Sequence, residues 1–161
     1  MPVRTILRYP HPALKARCVE TGGADAERVA RDLVDTMRSF GHCVGLAAPQ
    51  LGELVRIVAV DVSEHPKASS SNGLLVLVNP VVVSEDGAEV AREGCLSIPH
   101  LTANVRRATR IAIEAEGGAA LESEGFEARC LLHEIDHLDG VLFLDRVDSL
   151  QRDVFRRKQY R

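Results

Sequence analysis

The sequence predicts an α+β fold. Two amphipathic helical segments flank a middle region of short β-branched runs, and no regular strand–helix–strand alternation links them. In order, Val29, Leu33, Met37 and Phe40 recur at three- and four-residue steps, which predicts a helix over 25–40 with Gly41 just past its end. Residues 55–62 form a β-branched run and read as a buried strand. Residues 64–73, with Pro66, three serines from Ser69 and Asn72-Gly73, read as an exposed loop. A second strand region follows over 74–83, bent at Asn79-Pro80, and a third over 110–116, with Gly117-Gly118 as the turn after it. Residues 126–139 read as the second long helix. Phe126, Cys130, His133 and His137 fall along one stripe of it, and Gly140 sits where a C-terminal cap glycine belongs. The charged segment 148–160 is predicted to be a short C-terminal helical tail.

Composition narrows the function. A chain of 161 residues with 45% apolar residues suits one globular domain and folds without needing a disulfide. A net charge of −3 argues against a general nucleic-acid binder, so no DNA partner is expected. No apolar run has the ~18 residues that a membrane span needs. Residues 1–15 contain three prolines and no signal-peptide core, so a cytoplasmic location is expected, with Cys18, Cys43, Cys95 and Cys130 as reduced thiols. Each cysteine reads by default as a small buried apolar residue.

His133-Glu134-Ile135-Asp136-His137 is an H-E-x-x-H motif inside the predicted second helix. Residues four apart share a helix face, so both imidazoles reach one metal ion. Glu134 follows the first ligand directly and lies beside a water at such an ion without being a ligand itself. The third ligand does not come from downstream. Position 143 is Phe143, where a metzincin pattern has histidine, and no Glu or His follows His137. The leading upstream candidate is Cys95, in Glu93-Gly94-Cys95-Leu96-Ser97, because a thiolate binds zinc or ferrous iron strongly. A third segment, Gly45-Leu46-Ala47-Ala48-Pro49-Gln50, combines small residues that let a ligand backbone approach with an amide that can donate to an oxyanion.

These three segments, in this order, resemble the motifs of the peptide deformylase family: G-x-G-L-A-A-x-Q, E-G-C-L-S and Q-H-E-x-D-H-L-x-G. Here they read as residues 43–50, 93–97 and 132–140. Tyr9-Pro10-His11-Pro12 and Val105-Arg106-Arg107 also resemble the family, so the likeness covers nearly the whole chain. It implies mixed or antiparallel sheets surrounding a central metal-binding helix, and residues 1–161 as one catalytic domain. It implies hydrolytic removal of the formyl group from the N-terminal formyl-methionine of newly made polypeptides, with release of formate. By position, Cys95, His133 and His137 would be the metal ligands and Glu134 the general acid/base. Gln50 and the Leu96 N–H would hold the formyl oxygen, and Gly45 would pair with substrate backbone. Val44, Phe126, Arg129, Cys130 and His133 would border the methionine pocket. The two nitrogens and one sulfur suit Zn²⁺, Fe²⁺, Co²⁺ or Ni²⁺ alike, and the resemblance suggests Fe²⁺ in cells.

Three positions depart from the family pattern. Cys43 replaces the first motif glycine, Leu132 replaces a glutamine, and Arg129 places a charge beside an apolar pocket, its stem expected to line the pocket and its head to reach water. A general metallopeptidase and a structural zinc or ribosome-associated module are the rival readings. The missing downstream ligand opposes the first, and Glu134 with Gln50 opposes the second. The tail carries Arg146, Arg152, Arg156, Arg157, Lys158 and Arg161 against Asp148 and Asp153. It is similar in position and charge to the C-terminal helix by which bacterial relatives dock on the ribosome.

Overall fold

The structure, a computed structural model, describes residues 3–157. Helix α1 spans Gly23–Arg38 and buries Val29, Leu33 and Met37. Phe40, the last residue of the predicted stripe, lies beyond the helix end and is 38% exposed. Helix α2 spans Gly125–Leu138, and Gly140 follows at φ 73°. A side chain at Gly140 would strike the Lys15 carbonyl, 2.5 Å from its Cβ, so this turn needs glycine on both counts.

The strands, numbered in chain order, form three antiparallel sheets. The first comprises β1 (Gly45–Ala47), β2 (Ile57–Val60) and β3 (Leu75–Val78), in that order across the sheet. In the second, β7 (Arg110–Glu114) lies between β4 (Val81–Asp86) and β8 (Ala120–Glu124). In the third, β6 (Ile98–Arg107) lies between β5 (Glu89–Cys95) and β9 (Val154–Arg156). The bend foreseen at Asn79-Pro80 is a change of sheet: Asn79 adopts φ 52°, and β3 and β4 belong to different sheets.

Strand β2 shows why its sequence is apolar throughout. Ile57 and Ala59 pack towards α1, whereas Val58 and Val60 pack towards Leu131, Ile135 and other residues of the α2 core. A strand covered on both faces has no polar side to show. Helix α2 is buried nearly all round, as expected for a helix at the centre of a fold. Its apolar face, Ala128, Leu131, Leu132, Ile135 and Leu138, packs in one core. Leu132, where the motif has glutamine, is therefore a core residue. A third core joins Leu14, Ile98, Val105, Leu142 and Phe143 to Cys95. At the C-terminal end of α2, Arg56 donates to the Leu138 carbonyl (3.0 Å) and pairs with Asp139 (2.9 Å), which places a cation at the negative end of the helix.

The predicted C-terminal helix is corrected. Within 148–157 no helix forms; Val154–Arg156 pair as β9 with Ala103, Thr102 and Leu101 of β6, while Lys158, Gln159 and Tyr160 lie outside the described residues. The cause is tertiary. The open edge of β6 offers unpaired backbone groups, and Asn104 N–H donates to the Asp153 carbonyl at 2.8 Å to set the register. A short segment forms no stable helix without such support and takes the pairing offered. Phe155 lies under the Arg92 guanidinium, 3.8 Å from the ring centroid, and Val154 packs on the third core. Truncation after Leu150 is thus expected to cost about 2–3 kcal/mol in urea unfolding, the burial of two partly covered side chains. An unchanged midpoint would show that β9 adds nothing to the fold.

Candidate metal centre and active site

Helix α2 and the end of β5 bring three ligand atoms together. The donor atoms of Cys95, His133 and His137, all buried, lie within 4.8 Å of one another, and Cys95 Sγ is 3.5 Å from His137 Nε2. A tetrahedral ion with metal–sulfur and metal–nitrogen distances of about 2.3 and 2.0–2.1 Å separates such atoms by about 3.6 Å. The Cys95–His137 separation matches that spacing, and the buried sulfur and two imidazoles form a donor set that suits a divalent metal.

Behind His133 stands a residue the motif reading passed over. Glu93 Oε1 meets His133 Nδ1 at 2.9 Å, which leaves Nε2 to face the cluster. The same carboxylate receives Arg107 (2.8 and 3.0 Å) and Arg129 (2.7 Å). Arg107 continues to Asp136 (2.6 Å), which also holds Arg146 (2.9 Å). Burial opposes the Glu93 charge, but hydrogen bonds from His133 and Arg107 outweigh it and hold this carboxyl well below the usual carboxylate range. Glu93 opens the E-G-C-L-S motif, yet its sequence position alone does not reveal a buried ion network.

Arg129 lines the cleft as expected, but its head does not reach water. The guanidinium is bound to Glu93 and to the Val105 and Glu89 carbonyls at 2.6–2.8 Å, and the residue is only 7% exposed. The buried anion attracts it more strongly than solvent does.

Burial pushes the Glu134 carboxyl up to about 7, partly countered by His133. Its Oε1 is buried and has no hydrogen-bond partner among the described residues. Burial also opposes charge on His133, but Glu134, Cys95 and Glu93 raise it well above the ordinary imidazole value. Burial and the neighbouring His133 push His137 well below that value, towards the neutral form that binds metal. Of the other three cysteines only Cys18 is buried as the default has it; Cys43 and Cys130 are half-buried and line the cleft. Burial raises Cys18 to about 11 and Cys43 to about 12, and raises Cys130 further.

Gly45 and Gln50 frame the other side. A Cβ on Gly45 would lie 2.6 Å from Glu134 Oε2, so this strand touches the catalytic candidate directly. Gly45→Ala is expected to lower kcat/KM about 100-fold at unchanged metal content, because displacing a reacting group by about 1 Å costs that much. Full activity would show that Glu134 tolerates the shift. The Ala47 N–H donates to Gln50 Oε1 (3.0 Å), which turns the amide NH₂ towards Ser97 Oγ (3.1 Å) and Cys95 Sγ (3.6 Å). Gln50 is thus aimed at the metal centre. A cleft of ≈ 320 Å³ joins the centre to the surface; it is lined by the residues expected to border the methionine pocket, Val44, Phe126, Arg129, Cys130 and His133, and by Gly45, Gln50 and Leu96. His65, from the 64–73 loop, stacks on Phe126 with centroids 4.4 Å apart. Nothing in that loop's composition marked His65 as a cleft residue.

The family model described as polypeptide deformylase matches residues 3–153. The chain belongs to the polypeptide deformylase family. Among relatives, a peptide deformylase of Thermodesulfovibrio yellowstonii is 37% identical over 98% of this chain and 97% of its own. The solved peptide deformylase of Thermotoga maritima superposes with a TM-score of 0.78 at 32% identity, covering 91% of this chain and 99% of that one. A Met-Ala-Ser-bound peptide deformylase from Acinetobacter baumannii superposes at 0.79 with 28% identity, covering 89% and 99%. Members of this metal-dependent hydrolase family remove the N-formyl group from new peptides, and this chain has that activity.

Proposed function

We propose that deformylation runs on the Cys95–His133–His137 centre, with Glu134 moving the proton. The carrying observation is the convergence of three buried ligand atoms with the unpartnered Glu134 Oε1 in one cleft. A divalent metal held by Cys95, His133 and His137 supplies Lewis acidity and lowers the pKa of water there. Because Cys95 brings negative charge, that acidity is weaker than with three neutral histidines, and Glu134 matters more. Glu134 accepts a proton from the attacking water and delivers it to the amine as the formyl C–N bond breaks, yielding formate and a free amino terminus. Gln50 Nε2 and the Leu96 N–H donate to the formyl oxygen as it gains charge, each contributing about 3–4 kcal/mol.

Strands β1 and β5 are both edge strands, and Gly45 and Gly94 line the same cleft. A peptide entering there adds as a strand along Gly45, its first side chain between Val44, Phe126, Cys130 and His133. The Met-Ala-Ser bound by the Acinetobacter relative supports a methionine in that position. Incubation with formyl-Met-Ala and with an ordinary blocked peptide tests the reading: formate is expected from the first and no cleavage of the second. Cleavage of the blocked peptide would favour a general peptidase.

The native metal is proposed to be Fe²⁺, with Zn²⁺, Ni²⁺ or Co²⁺ as replacements. Metal analysis of anaerobically prepared protein, with activity in parallel, is expected to show iron tracking turnover. Activity that tracks zinc instead would reject iron. The chain is proposed to act as a single cytoplasmic domain on formyl-methionyl nascent peptides; among the described residues no helix is long and apolar enough to cross a membrane. Among the described residues, charge-based ribosome contact by the tail rests on exposed Arg152 and Arg156, because Arg146 is paired with Asp136 and Arg157 lies in the cleft; Lys158 and Arg161 lie outside the described residues. Charge reversal at both is expected to reduce ribosome co-sedimentation at low salt.

A further inference from the structure

The cleft has a cationic rim that deformylation itself does not explain. Arg157 N–H donates to the His100 carbonyl (2.8 Å) and continues the β9–β6 pairing by one residue. This carries its guanidinium back over β5, where it lies against Gly94 in the space a side chain there would fill. The Arg157 guanidinium has no hydrogen bond or ion pair within the described residues. Arg92 lines the same cleft and is held by Asn104 (3.1 Å), Thr102 (3.4 Å) and the Phe155 ring, none of them anionic. Lys67 also lines the cleft and pairs with no carboxylate among the described residues. Among the described residues the only carboxylates in the cleft lining are Glu93, already bound by two arginines, and Glu134 at the centre. The mouth therefore presents three cations with no anion to satisfy them among the described residues.

We propose that Arg157, with Arg92 and Lys67, reads negative charge on the peptide downstream of formyl-methionine, so that chains with an early Asp or Glu are preferred. This rests on the deformylase reading above. The position supports it: Gly94 is on the edge strand β5, beside the path of an extended peptide leaving the centre, and β9 holds Arg157 there. The formyl group and the methionine side chain enter deeper, so the rim meets only the residues that follow. Because the rim faces solvent, the preference is modest and screened by salt.

The test compares C-terminally amidated formyl-Met-Ala-Xaa-Ser peptides with Xaa as Glu, Gln or Lys, which removes the terminal carboxylate as a second anion. At low salt, kcat/KM is expected to follow Glu > Gln > Lys, with about two- to fivefold between the extremes and the difference in KM rather than kcat. Raising the salt should compress the series. Arg157→Glu should invert the order, and Arg157→Met should flatten it. Should charge reversal impair folding, Lys67→Glu provides a second reversal on a loop and is expected to shift the order the same way. Equal rates for Glu and Lys in the unaltered enzyme would overturn the proposal. So would an order unchanged in Arg157→Met, or a uniform gain for all three peptides in that variant, which would make Arg157 a mere obstruction. Turnover of the Gln peptide by the unaltered enzyme reports on deformylation separately.

Discussion

Cys95→Ala, His133→Ala and His137→Ala are each expected to lose stoichiometric metal and to reduce formate release to background. Each removes one of the three proposed ligands, whose donor atoms sit within 4.8 Å of one another, and two remaining ligands do not complete a catalytic site. The three variants should differ in stability. Cys95 and His137 touch each other at 3.5 Å and leave small gaps. His133→Ala removes a hydrogen-bond partner from buried Glu93, although Arg107 and Arg129 still neutralise that carboxylate. Its thermal midpoint should fall further than that of Cys95→Ala for this reason. Cys130→Ala, with a thiol in the cleft but outside the cluster, serves as the control and should retain full metal. Full occupancy in Cys95→Ala would assign the third ligand elsewhere.

Glu134→Gln is expected to retain the metal and lose about 10²–10⁴-fold in kcat, the usual contribution of a general acid–base group. The amide keeps the shape that packs against Gly45, so the loss isolates proton transfer from geometry. Burial raises the native carboxyl to about 7, which places its proton affinity near neutrality, where a group that both takes and returns a proton works best. Near-normal formate release with metal retained would remove Glu134 from the mechanism. Glu134→Gln and Gly45→Ala together separate two effects: the first removes the proton acceptor in place, and the second displaces it.

The candidate metal cluster was legible in the sequence because it is written in local spacing. A four-residue step on a helix puts His133 and His137 on one face whatever surrounds them, and the lack of a downstream ligand directs attention to Cys95. Helices α1 and α2 and strand β2 were legible for the same reason, since their apolar periods match the surfaces they bury. Strands β5 and β8 escaped because their sequences are mixed, whereas β6 carries an alternation of Leu101, Ala103 and Val105 that was passed over. Glu89-Val90-Ala91-Arg92-Glu93 has no apolar alternation and becomes a strand only by pairing with 103–107. The tail read as a helix from charge and length, yet the unpaired edge of β6 made it a strand and carried Arg157 to the cleft. Arg129 read as a snorkelling side chain, yet Glu93 from another element drew its charge inward. Sequence alone determined which groups could do the chemistry, because local spacing is a property of the chain. Tertiary structure decided which charges are buried together and which edges are completed, because these depend on partners 24 to 55 residues away.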